Sequence, residues 1–449
     1  MSESIRAARE LALRAVELAF AAGAHEAEAV SSAGTSALTR FAGNRIHQNV
    51  AEKDASVSVR AVVGTKVGVA ATNHTDDESL RACCKAAVAA ANSAPEDPSF
   101  PGLPAARPVE SIDRTAEMTR QFGPEARAQA VASIVAQSSS RGLTAAGGVK
   151  VSDESVAVVN THGVDVAQAV TGLRATVLSM SATGGSGWAS FVSRDASELA
   201  ACALGDEAAS LAQRSEGAVD LEPGEYTVVL APEAVADIVE FLGYLSFGAK
   251  SVAEERSFMS TRLGEQVASP LISITDDALS PLANGLVFDF EGQPKTRVAL
   301  IEKGVATEYV TDSYWAARLG RPNTGHALPA PNSYGPMPLN MEMAAGDATL
   351  EELIAGVRHG VYVTRFHYVN VEDPVPATLT GMTRDGTFLI RDGRLSSPLK
   401  NQRFTQSAVE ALSRVQGVTR ERRYIGTETS PVLVPGVLVA GFRLTGQTQ

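Results

Sequence analysis

The residues most able to do chemistry are polar side chains on one face of a helix predicted over residues 232–246, within the stretch 231–250. Asp237, Glu240 and Tyr244 follow one another at spacings of three and four, so a helix places them on the same side. Glu240 and Tyr244 could present a general base and a hydrogen-bond donor together. The alternative interpretation, which we favour, is that Glu240 is a solvated helix carboxylate.

Histidine and cysteine patterns do not predict a metal site in this chain. His359 and His367 share a strand-like segment, but eight residues of strand span about 26 Å, too far for one ion without a sharp bend. The sequence contains no H-E-x-x-H and no C-x-x-C pattern. No serine lies in a G-x-S-x-G elbow either. We therefore expect neither metal ligands nor an activated serine here.

A long polar loop is the second candidate site. Residues 311–340 begin as a short helix and continue as a loop of about twenty residues rich in Gly, Pro and Asn, a length often associated with function. Its many hydrogen-bonding groups predict a substrate cleft, and a plain structural loop is the alternative. The candidate cleft residues are Asn323, Thr324, Gly325, His326, Asn332 and Tyr334.

Charge and cysteine content exclude several classes of protein. A net charge of −12 opposes direct binding to nucleic acid or to an anionic membrane. Cys83, Cys84 and Cys202 are too few for a disulfide framework and are typical of a reducing compartment. Charged residues interrupt the first helix, so it predicts neither a signal peptide nor a membrane span. We expect a soluble, cytoplasmic protein.

The elements that position these residues predict an α+β protein of two domains. Residues 1–220 alternate helices with groups of strands, which predicts helices packed on a largely antiparallel sheet. A proline-rich crossing over 95–108 lies within this domain. Residues 221–449 are rich in strand patterns and predict a β-rich, barrel-like domain with a few helices.

Local patterns make sharper predictions. Alternation over 56–62 and 67–72, separated by a Gly64 turn, predicts a β-hairpin. Thr75 and Glu78 predict a capping box at the start of the following helix. The segment over 285–292, GLVFDFEG, predicts a strand in the second domain.

Two long segments resemble the TldD/PmbA family, also called TldD/TldE. They are E-G-x-P-x-x-R-x-x-L-I-x-x-G at 291–304 and S-Y-x-A-x-x-L-G followed by T-G-H within 313–326. The likeness extends from about residue 25 towards the C-terminus in the family's order. The resemblance implies the fold of a heterodimeric metallopeptidase, whose members are also known as modulators of gyrase.

The resemblance also implies where zinc would bind. In the TldD type, a helix carries H-E-x-x-x-H and a later cysteine completes the zinc site. This motif falls on Val239-Glu240-Phe241-Leu242-Gly243-Tyr244, so valine and tyrosine replace both histidines, and no cysteine follows Cys202. The chain is therefore similar to the TldE/PmbA type, which has no zinc of its own and pairs with a zinc-bearing TldD-like partner.

The resulting expectation is a non-catalytic subunit that supports its partner and the substrate cleft. The family implies an extended peptide or peptide-like substrate that adds to a sheet edge. One alternative is a metal-independent hydrolase that uses Glu240, Tyr244 and His326. Another is a peptide-binding module that acts as a homodimer. Either role could be dedicated to a biosynthetic pathway.

Overall fold

The computed structural model describes residues 3–447. In the first half, the elements are α1 Glu3–Ala21, β1 Glu26–Ala42, β2 Arg45–Val63, β3 Lys66–Thr72, α2 Asp77–Ser93, α3 Glu117–Arg120, α4 Pro124–Ser139, β4 Thr144–Asn160, β5 Asp165–Met180, β6 Ser186–Ser193 and α5 Ala201–Arg214. In the second half, they are β7 Gly224–Leu230, α6 Pro232–Leu245, α7 Ala249–Ala253, α8 Met259–Arg262, β8 Ile274–Asp276, β9 Val298–Glu302, β10 Val305–Ala306, α9 Ser313–Leu319, β11 Met341–Met343, α10 Leu350–Ala355, β12 His359–Asp373, β13 Thr378–Arg391, β14 Arg394–Pro398, β15 Gln402–Ser407, α11 Ala408–Ser413, β16 Val415–Gly426 and β17 Pro431–Gln447.

The first half is built on a six-stranded antiparallel sheet, which we call the N-terminal sheet. Its strand order is β3-β2-β1-β4-β5-β6. Because successive side chains point to opposite faces, odd-numbered residues such as Ala29 and Ala157 pack against α1 and α2. Even-numbered residues such as Val156 and Val158 pack against Phe288 of the second half. One face therefore carries helices, and the other meets the second half of the chain.

The second half is built around a ring of strands. β17, β15, β13, β12 and β7 pair in that order, and β7 pairs again with β17, so the five strands close into a small barrel. Helix α6 begins two residues after β7 ends and packs against β12 and β17. Eight of its 14 residues are buried, which fixes the orientation of its polar face. The barrel therefore holds the helix that carries the candidate chemistry.

The α+β fold class and the β-rich second half are confirmed. The hairpin predicted within 56–72 is present as β2 and β3, although β2 already begins at Arg45. Residues 95–108 contain neither helix nor strand and cross the surface as an irregular segment. Among the described residues, no helix has the length and apolar character needed to cross a membrane.

The predicted capping box at Thr75 is wrong by one residue. Asp76 is the N-cap of α2, and its carboxylate accepts a hydrogen bond from the backbone N–H of Ser79 at 3.0 Å. The residue three positions after the cap is therefore Ser79 rather than Glu78, so the reciprocal bond of a capping box cannot form.

The strand predicted over 285–292 is also wrong. Asp289 interrupts it, because its Oδ1 accepts hydrogen bonds from the backbone N–H groups of Glu291 and Gln293. Its Oδ2 accepts a third bond, from the N–H of Ala327. An aspartate that satisfies nearby backbone groups offers them an alternative to a sheet ladder, and the segment turns instead.

Candidate functional site

Positions 239 and 244 of α6 face different surroundings. Val239 is fully buried in the apolar core of the second half, whereas Tyr244 is 46% exposed. A helix turns about 100° per residue, so five residues separate these two directions by about 140°. Side chains at the two positions therefore do not converge on one point in this helix.

Tyr244 contacts the long polar loop. The centre of its ring lies 5.5 Å from the ring centre of Tyr334, in a tilted arrangement. Such offset aromatic pairs are favourable even at a surface. The pair joins the end of α6 to the loop, so the two candidate regions meet at Tyr244.

Carboxylates line the polar face of α6 at Glu233, Asp237 and Glu240. Burial raises the pKa of Asp237 to about 7, and the positive charge of Arg365 opposes the rise. Burial and then repulsion from Asp237 raise the pKa of Glu240 to about 7, although part of its side chain is open to solvent. A carboxyl group with such a pKa exchanges protons readily near neutral pH.

Glu240 lies where the two halves of the chain meet. Arg174, whose charge opposes the rise in the pKa of Glu240, belongs to β5 of the N-terminal sheet. On the other side is Gly426, which has a φ of +121°. A Cβ at this position would stand 3.0 Å from Oε1 of Glu240. A side chain at position 426 would therefore press against the carboxylate.

The first part of the polar loop is held inside the domain. Thr324 and Thr311 bond each other, each hydroxyl oxygen accepting from the other's backbone N–H at 2.7 and 2.9 Å. His326 is 1% exposed, and its Nε2 lies 2.9 Å from Oδ1 of Asp276. Its Nδ1 lies 2.9 Å from the hydroxyl oxygen of Thr324. Both ring nitrogens are therefore buried and engaged, and a role for His326 in a cleft stays a prediction.

Asn323 and Gly325 complete this anchored part of the loop. Nδ2 of Asn323 donates to the hydroxyl of Ser313 at 2.9 Å, and its Oδ1 accepts from the N–H of Gly325 at 2.8 Å. Gly325 has a φ of +74°, and a Cβ there would stand 2.3 Å from the carbonyl oxygen of Pro294. These residues shape the loop rather than offer free groups to a ligand.

Asn332 and Tyr334 are the cleft candidates that remain at the surface. Oδ1 of Asn332 accepts from the N–H of Tyr334 at 2.8 Å, and its Nδ2 donates to the carbonyl of Gly335 at 2.9 Å. Asn332 lines a cavity of 520 Å³ that also reaches Arg60 of the N-terminal sheet. A role for these two residues in a cleft stays a prediction.

Three models of known protein domains match this chain along its length. Residues 223–446 match the model of the PmbA/TldA metallopeptidase C-terminal domain, residues 27–91 match domain 1, and residues 99–216 match the central domain. The three matches cover most of the chain. The chain belongs to the PmbA/TldD metallopeptidase family. This result confirms the resemblance carried by 291–304 and 313–326.

Curated relatives of this PmbA/TldD-family chain include TldD homologues. The zinc metalloprotease TldD homolog of Saccharolobus solfataricus is 29% identical over 205 residues, which are 44% of each protein. The metalloprotease TldD homolog of Haemophilus influenzae is 30% identical over 168 residues, which are 37% of this chain and 34% of that protein. The chain therefore spans less than half the length of the curated relatives it matches.

Solved structures of the family share the whole fold. TldE from Thermococcus kodakarensis has a TM-score of 0.87 and 19% identity, and the match covers 96% of this chain and 99% of that one. A Thermotoga maritima protein described as a candidate modulator of a DNA gyrase has a TM-score of 0.85 and 19% identity, with 97% and 99% covered. At these identities the likeness shows the fold alone.

The side chains of this PmbA/TldD-family chain do not fit the zinc ion of a metallopeptidase. Val239 has no donor atom, and Tyr244 alone is a poor zinc ligand. Cys83 and Cys84 lie on α2, and Cys202 lies on α5, all in the first half of the chain. Between residues 3 and 447, no group of three or more His, Cys, Asp or Glu could hold a metal ion. We assign no chemical step to a metal held by this chain.

Sequence reasoning missed Arg174, whose charge acts on Glu240, and the charged residues beside Arg174. Lys150 and Arg174 lie on the same face of β4 and β5, and Glu428 reaches that face from the second half. The period-two pattern of the strands could have shown that Lys150 and Arg174 share a face. It could not have shown that this face meets α6, because that contact joins distant parts of the chain.

Proposed function

We propose that this chain is the non-catalytic, TldE/PmbA-like subunit of a heterodimeric TldD/TldE-type zinc metallopeptidase in the cytoplasm. A TldD-like partner holds the zinc, and this chain stabilises the partner and helps to shape its cleft. The substrate is an extended peptide or a peptide-like molecule. The observation that carries the proposal is the burial of Val239 in the core, at the position where the family motif has a histidine.

The packing of α6 supports the proposal. Gly243, the glycine of the family motif, faces Met341 and Pro338, and a Cβ there would stand 2.5 Å from Cε of Met341. Leu242 beside it is fully buried. The helix is therefore closely packed at Leu242 and Gly243, which lie between the two positions where the family motif has histidines.

The test compares this chain purified alone with the same chain coexpressed with a TldD-like partner. We expect the chain alone to contain no stoichiometric zinc and to cleave no peptide. With the partner, we expect a heterodimer that contains zinc and cleaves peptides. Stoichiometric zinc and peptidase activity in the chain alone would contradict the proposal. A stable homodimer that binds peptide but does not bind the TldD-like partner would favour the peptide-binding module instead.

One observation favours a second candidate, a metal-independent hydrolase. Glu240 has a pKa raised to about 7 by burial and by Asp237, and Tyr244 lies one turn further along α6. His326 is buried and takes no part in this candidate. Turnover of a small amide by chelator-treated chain, lost on Glu240→Gln, would support it. No turnover between pH 5 and 9 would exclude it.

A further inference from the structure

A second cavity is lined by Arg174, whose charge acts on Glu240, and differs in character from the cavity beside Asn332. Its volume is 430 Å³, and it opens on the face of the N-terminal sheet that meets the second half of the chain. Most of its charged groups are cationic, in a chain whose net charge is −12. We call this cavity the basic pocket. Its charged lining residues are Arg40, Lys150, Arg174 and Glu428, and the imidazole of His47 also lines it.

Strand pairing places the cations of the basic pocket side by side. Lys150 of β4 stands directly opposite Arg174 of β5, and Arg40 of β1 stands opposite Gly148 of β4. Like charges directly opposite each other destabilise a sheet. Gly148 stands between Arg40 of β1 and Thr176 of β5, and a Cβ there would lie 3.3 Å from Cδ1 of Leu38. The sheet therefore keeps an unfavourable charge arrangement, Lys150 opposite Arg174, at the wall of the cavity.

Several donors in the basic pocket lack a protein partner. Nε of Arg174 is buried and makes no hydrogen bond. The side chains of Arg40 and His47 make no hydrogen bond or ion pair with any residue between 3 and 447, and both residues are exposed to solvent. A buried donor without a partner costs free energy that a bound acceptor can recover. The pocket is thus equipped to receive an anion.

The nearby carboxylates neutralise these cations only in part. Glu428 pairs with Lys150 at 3.4 Å. Burial raises the pKa of Glu154, against the opposing charge of Lys150. Burial also raises the pKa of Glu240 beside Arg174 to about 7, so this group is only partly ionised at neutral pH. Positive charge therefore remains in excess.

An apolar cavity lies next to the basic pocket on the same sheet face. It has a volume of 540 Å³ and is lined by residues such as Val156 of β4 and Phe288 of the second half. Glu428 lines the basic pocket, and the next residue, Thr429, lines the apolar cavity. The segment rests on Gly172 of β5, where a Cβ would stand 2.6 Å from Cβ of Glu428. This segment therefore stands between the two cavities, and one ligand reaches both only by crossing it.

We propose that the basic pocket binds a peptide carboxylate while neighbouring apolar side chains of the same peptide fill the apolar cavity. The planar guanidinium groups of Arg40 and Arg174 suit a carboxylate, which accepts paired hydrogen bonds. The inference rests on the proposed function only in taking a peptide as the ligand of the cleft. Binding of a peptide carboxylate in the basic pocket makes this chain the subunit that selects acidic substrates, whichever subunit cleaves them.

The test measures peptide binding to the full chain alone, so it does not depend on cleavage or on a partner. Two fluorescein-labelled peptides share their apolar residues and differ only in carrying Glu or Gln at three positions. Fluorescence anisotropy should show that the Glu peptide binds about tenfold more tightly or better, as expected for one charge-assisted contact. The preference should weaken as salt is raised.

Further probes separate the sources of the anion. The affinity of the Gln peptide is compared with its C-terminus free and with its C-terminus amidated. Tighter binding of the free form would show that a terminal carboxylate is enough for recognition by the basic pocket. Inorganic phosphate is tested as a competitor of the Glu peptide. Phosphate that binds the chain while neither carboxylate-bearing peptide is preferred would overturn the proposal and make the pocket a phosphate site.

Single substitutions test whether the Glu peptide binds in the basic pocket. Arg174→Gln and the rim variant Arg40→Gln should each reduce the preference for the Glu peptide by about tenfold. Arg256→Gln removes an equally charged, exposed side chain outside the pocket and should leave the preference unchanged. Equal affinity for both peptides would overturn the proposal, and so would an unchanged preference in Arg40→Gln. Arg40 is exposed, so its replacement should not prevent folding.

Discussion

At the scale of single residues, the proposed non-catalytic role depends on position 239, where the resemblance places a histidine of the family motif. Val239 contributes to a core formed by α6 and the barrel strands and is fully buried there. A histidine in this place would bury an imidazole among apolar side chains. Tyr244 is half exposed at the end of the same helix, so a substitution there alters few packing contacts.

We predict that Val239→His lowers the free energy of unfolding by about 1–3 kcal/mol, because it buries a polar group without a partner. Urea denaturation measures this. Tyr244→His is the matched control and should change stability by no more than about 0.5 kcal/mol. The double variant should bind no zinc in metal analysis. Tight zinc binding by the double variant, with unchanged stability, would contradict the assignment of position 239 to the core.

The carboxylates of α6 predict a pH-dependent effect. Burial raises the pKa of Asp237 to about 7 in the folded chain, from an ordinary value near 3.8. Between these pH values the unfolded chain releases a proton that the folded chain keeps, so this group lowers stability as pH rises. Asp237→Asn should therefore gain stability relative to the native chain between pH 4 and 7, with no further gain above pH 7.

Chemical denaturation at pH 4, 6 and 8 measures this gain. Asp220→Asn, at an exposed carboxylate, is the matched control. An equal difference between Asp237→Asn and the native chain at all three pH values would refute the burial of Asp237.

At the scale of elements, the polar loop divides into an anchored part and an open part. The boundary lies between His326, which is bonded to Asp276 of β8, and the exposed Asn332. Burial opposes ionisation of Asp276, but His326 and then Lys295 outweigh it, so the pKa of Asp276 lies below its usual value. The anchored part thus depends on a buried charged contact.

We predict that His326→Leu lowers the free energy of unfolding by about 1–3 kcal/mol, because it leaves Oδ1 of the buried Asp276 without its hydrogen-bond partner, while Oδ2 keeps the N–H of Asn340. Thermal and chemical denaturation measure the loss. Asn332→Ala is the control in the open part and should cost no more than about 0.5 kcal/mol. A small loss from His326→Leu, together with lost peptide binding, would instead return His326 to the cleft.

The elements also show what the sequence could predict. The helix over 232–246 and the hairpin within 56–72 were predictable, because each depends on a local period of apolar residues. The segment over 285–292 has an equally good strand pattern but turns, because Asp289 finds backbone partners that include Ala327, far along the chain. The burial of His326 has the same origin. Local patterns carry no information on such tertiary partners.

At the scale of the whole molecule, a buried ion network links the two halves. Arg60 of β2 lies 2.9 Å from a carboxylate oxygen of Glu28 on β1 and 3.1 Å from Glu291 in the second half. Burial raises the pKa of Glu28 to about 7, although Arg60 opposes the rise. The basic pocket and the apolar cavity lie on this same face of the N-terminal sheet. Each is lined by residues from several strands and from the second half, so no local motif predicted either cavity.

We predict that Arg60→Met lowers the free energy of unfolding by about 3–5 kcal/mol at pH 8, because two buried carboxylates lose their partner. The loss should be smaller at pH 5, where Glu28 is protonated in the folded chain. Arg81→Met removes an exposed arginine paired with Asp77 and should cost no more than about 0.5 kcal/mol. Equal losses from the two variants would show that the network does not hold the halves together.

The most direct test of the non-catalytic role is peptide cleavage by the reconstituted heterodimer with one glutamate changed at a time. Glu240→Gln in this chain should leave the cleavage rate within about twofold, because Glu240 is not the general base. Glu→Gln in the H-E-x-x-x-H motif of the TldD-like partner should lower the rate by about a hundredfold or more. A large loss from Glu240→Gln, with the partner variant still active, would contradict the account.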